Sequence, residues 1–133
     1  MSLRVLKDVE FHNWAIEYGV SDAMLCTAAK EIEAGLVDAR LGGFLLKKRV
    51  AAPGRGKSGS YRMLVGYRQA DRLIFVHGFA KNETDNITKN EKAALRKLCE
   101  IYMSADDSTL AEMIAKTTIR EIACNESHTE ERP

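Results

Sequence analysis

The stretch from Lys47 to Arg62 reads KKRVAAPGRGKSGSYR. Its mixture of cations and glycines suits one task above others, the holding of phosphate. Around Gly54, Gly56 and Gly59 an anion can come close to the backbone N–H groups, because no Cβ stands in the way. Lys57 adds a point charge, and the planar fork of Arg62 can grip two phosphate oxygens at once. Side chains alternate across a strand, so Lys47 and Arg49 share one face and Lys48 points the other way. That parity pairs the cations without saying which face meets the core.

The charge around this stretch is lopsided. Residues 40–72 hold nine basic side chains against the single acid Asp71, a local charge of +8, although the whole chain carries only +1. The remainder, with 11 basic and 18 acidic residues, carries −7. A concentrated positive field on a near-neutral protein points to a local anionic partner. A nucleotide-hydrolysing loop is a poor match. Gly56-Lys57-Ser58 fits the end of such a motif, but Ala51 stands where its first glycine belongs, and a strand rather than a helix follows. His77 is the alternative proton carrier, since histidine titrates near neutrality. Its position among the apolar residues of a strand is more commonly that of a structural histidine. No His, Cys or carboxylate spacing matches a metal site, so neither metal nor cofactor is expected.

The elements that must position these residues can be read from periodicity. Arg4-Val5-Leu6 forms a short strand. Asp8 to Tyr18 reads as a helix with Phe11, Trp14, Ala15 and Tyr18 on one face, ended by Gly19. A second helix, capped by Ser21 or Asp22, buries Met24, Leu25, Ala28, Ala29 and Ile32. Residues 44–50, 61–68 and 72–80 then alternate as three strands with short links, an antiparallel meander. Thr88 to Glu91 is a capping box opening a helix whose stripe is Ala94, Leu95, Leu98, Ile101 and Tyr102. Another short helix and an edge strand over 118–123 follow. The fold class is α+β, in the order β-α-α-β-β-β-α plus that helix and strand, with helices packed on an antiparallel sheet.

A chain of 133 residues with 45% hydrophobic content makes one domain with a real core. No segment approaches the roughly 20 apolar residues of a membrane span, and the N-terminus lacks a signal-peptide pattern. A cytosolic protein is therefore expected. Cys26, Cys99 and Cys124 are odd in number, far apart and free of any C-x-x-C pair. They read as reduced thiols used as small hydrophobes.

Three segments together carry a resemblance: Lys47-Lys48-Arg49, Gly56 to Arg62, and Gly78-Phe79-Ala80-Lys81-Asn82-Glu83. They resemble the RelE/HigB family of bacterial toxins, over roughly residues 4–103. The resemblance implies a ribosome-dependent endoribonuclease that cuts mRNA in the ribosomal A site and is held inactive by a cognate antitoxin, for which a helix-turn-helix protein is one candidate. It matches Lys47 and Arg49 to the family's basic pair, Arg62 to its strand-start arginine, and Lys81 and Asn82 to the end of the following strand. Arg62 is then the stabiliser of the phosphorane, Lys47 and Arg49 assist, and Lys47 or Lys81 is the candidate for moving a proton. Lys48, Arg55, Lys57, Tyr61 and Asn82 are the expected RNA contacts. The chain departs from the family in lacking an arginine near Asn82 and a tyrosine near residue 87, where Ile87 stands. Two alternatives share the fold: a ParE-like inhibitor of DNA gyrase, and a non-catalytic RNA-binding remnant. The organisation expected is a toxin core over 1–103, a helix–strand extension over 104–124 and a disordered polar tail over 125–133.

Overall fold

A computed structural model describes residues 3–52, 60–80 and 87–124. The chain runs β1 (Arg4–Asp8), α1 (Val9–Tyr18), α2 (Asp22–Glu33), β2 (Ala39–Arg40), β3 (Leu45–Ala51), β4 (Ser60–Arg68), β5 (Arg72–Ala80), α3 (Lys89–Ser104), α4 (Asp107–Ala115) and β6 (Ile119–Ile122). The strands form one sheet in the order β2-β3-β4-β5-β1-β6. The meander β3-β4-β5 is antiparallel as its short links require. The sheet as a whole is mixed, because β1 lies parallel to β5 and antiparallel to β6. The first strand thus enters between the meander and the last strand, and the two-residue β2 at the opposite edge escapes any periodicity test.

Alternation along the strands feeds two cores. Val5, Leu46, Met63, Val65, Leu73 and Phe75 face α1 and α2. Leu6, Leu45, Leu64, Ile74 and Val76 face α3 and α4. Both faces are covered, which is why β5 is apolar at consecutive positions from Leu73 to Val76 instead of alternating. The helix ends follow local chemistry. Asp8, Ser21, Thr88 and Asp106 each accept a backbone N–H as N-caps, and Thr88 with Glu91 closes the expected capping box. The buried stripe of α3 is Cys99, Tyr102 and Met103, with Leu95 and Leu98 beside them, whereas Ile101 is 55% exposed. Moving the stripe by one residue puts Cys99 against Gly66, where an added Cβ would come within 2.8 Å of its sulfur.

Buried cations tie the layers together. On the α1/α2 face, the ammonium of Lys7 pairs with Asp22, at 2.8 Å, and that of Lys48 with Glu31, at 2.9 Å. Arg72 donates to the carbonyls of Tyr102 and Ala105, and Arg68 to that of Met103, so two strand arginines satisfy the C-terminal end of α3. A disulfide joins Cys26 on α2 to Cys124 just past β6, with the Cα atoms 5.5 Å apart. This corrects the reading of three reduced thiols. Sequence distance hid the pair, 98 residues apart, because only the packing of α2 beside the far edge of the sheet brings them together. Cys99 alone is free and buried. No described helix is long and apolar enough to cross a membrane.

Candidate active site

The end of β3, the start of β4 and the end of β5 lie at one end of the sheet, as antiparallel pairing demands. Arg49 stands directly opposite Arg62, Lys47 opposite Leu64, Leu64 opposite His77, and Arg62 opposite Phe79. Tyr61 and Met63, the neighbours of Arg62, pack toward α1 and α2, so Arg62 projects to the α3/α4 face. The pairing carries Lys47 and Arg49 to that same face. Parity alone left this choice open, and the buried neighbours settle it.

A bulge in β5 governs the fourth member. Val65 pairs with Phe75 and Leu64 with His77, which leaves Val76 unpaired. Two successive residues, Val76 and His77, therefore turn to the α3/α4 face. The ring of His77 lies 5.9 Å from that of Phe79. Gly78 points the other way, against the ring of Trp14.

The electrostatics of the row are one-sided. Arg49 and Arg62 are like charges directly across a strand pair, an arrangement that is unfavourable by itself. Neither they nor Lys47 pairs with a described carboxylate. Among the described residues the side-chain partner of Arg62 is the hydroxyl of Ser60, at 3.5 Å. The backbone N–H of Arg49 is held by the carboxylate of Asp38, which leaves its guanidinium outside that bond. Such a row can hold an anion between its members.

Other predicted residues sit elsewhere. Lys48 lies on the opposite face, buried and engaged with Glu31 and the Leu36 carbonyl. Tyr61 is also on that face, its hydroxyl donating to the carbonyl of Tyr18. Arg68 pairs with Asp71, and Arg72 is buried in the α3–α4 joint, so part of the basic excess is architectural. Arg55, Lys57, Lys81 and Asn82 lie outside the described residues.

One group beside the row escaped the sequence reading. Asp8 projects to the α3/α4 face, accepts from the Phe11 N–H at 2.9 Å and faces the Tyr102 hydroxyl at 3.4 Å. Burial raises its carboxyl to about 6, and burial beside Asp8 pushes the Tyr102 hydroxyl up as well. In sequence Asp8 signals only the start of a helix. Among the described residues no group of three or more His, Cys, Asp or Glu side chains could hold a metal ion.

A protein-family model described as the RelE toxin of the RelE/RelB toxin-antitoxin system matches residues 3–122. The match runs from before β1 to the end of β6 and so includes α4. No curated protein matches the chain.

Proposed function

This chain belongs to the RelE toxin family, and from that membership we propose that it is an endoribonuclease that cuts mRNA on the ribosome. The observation that carries the reading is the row Lys47, Arg49 and Arg62 on one sheet face, with no described carboxylate to neutralise it. A gyrase inhibitor has no need of a phosphate-stabilising row. The 2′-hydroxyl of one nucleotide attacks the adjacent phosphorus, a 2′-O–P bond forms, and the P–O5′ bond breaks. One proton leaves the 2′-oxygen and one reaches the 5′-oxygen, giving a 2′,3′-cyclic phosphate and a 5′-hydroxyl. Arg62 neutralises charge on the phosphorane oxygens, and Arg49 and Lys47 hold the flanking backbone. Lys47, Lys81 and His77 are the groups proposed to carry the protons.

A toxin of this family implies a cognate antitoxin, which would cover the cationic row or bar entry to the ribosome. The place of action is the cytoplasm, where ribosomes are. The test is induction of the toxin without its antitoxin. Translation should stop with new mRNA 5′ ends on ribosomes, and Arg62→Ala should slow cleavage roughly 10²–10³-fold. Arrested DNA replication with intact mRNA would overturn the reading, as would full cleavage by Arg62→Ala.

A further inference from the structure

Beside the cationic row, on the same face, a cavity of about 250 Å³ opens between β5, α3 and the start of α1. Its floor is the buried carboxylate of Asp8 with the Tyr102 hydroxyl. Leu95 and Leu98 of α3 form an apolar wall, and His77 stands on the side toward the row. Glu10 lies at the rim.

We infer that this cavity is a nucleobase pocket that takes guanine. This rests on the ribonuclease reading above and adds to it a choice of base. His77 and Arg62 are diagonal neighbours across β4 and β5, since Arg62 faces Phe79 and His77 stands two residues earlier. Such pairs lie roughly 7–8 Å apart, the reach of one nucleotide from phosphate to base. A phosphate on Arg62 therefore delivers its own base to the cavity mouth. The leucine wall and the imidazole ring offer flat surfaces to a heterocycle.

The floor decides which heterocycle. Asp8 accepts from the Phe11 N–H at 2.9 Å and from the backbone N–H of Glu10, and it faces the Tyr102 hydroxyl at 3.4 Å. A carboxylate has about four acceptor sites, so one stays open, and the long Tyr102 contact can yield a second to a stronger donor. Guanine alone presents two adjacent donors on its Watson–Crick edge, N1–H and N2–H₂. Adenine and cytosine set a ring-nitrogen acceptor beside their amino group, which a carboxylate repels. Uracil brings one donor between two acceptors. Two parallel bonds to a carboxylate also fix the plane of the base.

The test is equilibrium binding to the whole protein of guanosine, inosine, adenosine and uridine monophosphates, with the phosphate at the 3′ and the 5′ position in turn. Inosine lacks only the 2-amino group. Guanosine monophosphate should bind best, and inosine monophosphate at least about tenfold more weakly. Asp8→Asn, which still caps α1, should erase that difference. Leu98→Trp, which fills the cavity, should abolish base preference while inorganic phosphate still binds through Arg62. Equal affinity for all four nucleotides in the wild type would overturn the proposal, as would an undiminished guanine preference in Leu98→Trp. The two readings fail separately. Guanine-selective binding without mRNA cleavage removes the ribonuclease and keeps the pocket. Arg62-dependent cleavage with no guanine beside the cut, and no nucleotide preference, removes the pocket and keeps the ribonuclease.

Discussion

Thr117 occupies a left-handed backbone conformation, with φ of 60°. It follows the C-cap of α4, where the N–H of Thr118 bonds to the Met113 carbonyl and that of Thr117 to the Ile114 carbonyl. The same double closure ends α1 at Gly19, with φ of 73°, and α2 at Gly35, with φ of 91°. A β-branched residue is strained in this conformation and glycine is not. Thr117→Gly should therefore stabilise the protein by about 0.5–1 kcal/mol after the extra freedom of glycine in the unfolded chain is deducted. Thermal unfolding would show this as a rise of roughly 2–5 °C. Asp8 supplies a second residue-scale expectation. Its carboxyl titrates at about 6 in the folded protein against 3.8 ordinarily. The folded state thus holds the proton more tightly, so the contribution of Asp8 to stability is greatest below about pH 4. It falls as pH rises through the window from 3.8 to about 6 and is level above that. Denaturant titrations between pH 4 and 8 should show the slope in the wild type and a flatter profile in Asp8→Asn.

The elements were legible in proportion to how local their causes are. Caps at Ser21 and Thr88, the glycine after α1, and the three meander strands all follow from neighbours in sequence. What stayed hidden depends on contacts between distant segments. The edge strand β2 is two residues long, the stripe of α3 is set by Gly66 and the sheet, and Lys48 and Tyr61 are assigned to a face only once α1 and α2 are docked. Of the candidate site, the strand cations Lys47, Arg49 and Arg62 could be named from the sequence, whereas the meeting of Asp8 with Tyr102 could not, since it spans 94 residues. Packing between elements makes one sharp prediction. A Cβ at position 78 would stand 2.5 Å from two ring atoms of Trp14. That ring is wedged between Phe11, Tyr18 and Tyr61, with centroids 5.2–5.4 Å away, so it cannot move aside cheaply. Gly78→Ala should cost about 1–3 kcal/mol in chemical denaturation and shift the near-ultraviolet signal of the tryptophan.

For the whole molecule, the Cys26–Cys124 bond encloses nearly the entire fold, since its ends are 98 residues apart. By the chain-entropy argument a closure of this length stabilises by several kcal/mol, and measured bridges typically contribute about 2–4 kcal/mol. Cys124→Ser, or a thiol reductant, should lower stability by that amount. The cationic row should survive, because β3, β4 and β5 hold one another through their own pairing. Phosphate binding that persists in the reduced protein, with a lower unfolding midpoint, is the expected result. The bulge at Val76 has a different consequence, one of length. At Leu64 and Val65 the strand β5 carries one residue more than β4 needs to match it. Had the surplus been absorbed as ordinary pairing, every later residue would have changed sides, sending His77 and Phe79 beneath Trp14. The spare residue acts as a half-step of phase that cancels itself. Deleting Val76 would close the ladder without rotating His77 or Phe79.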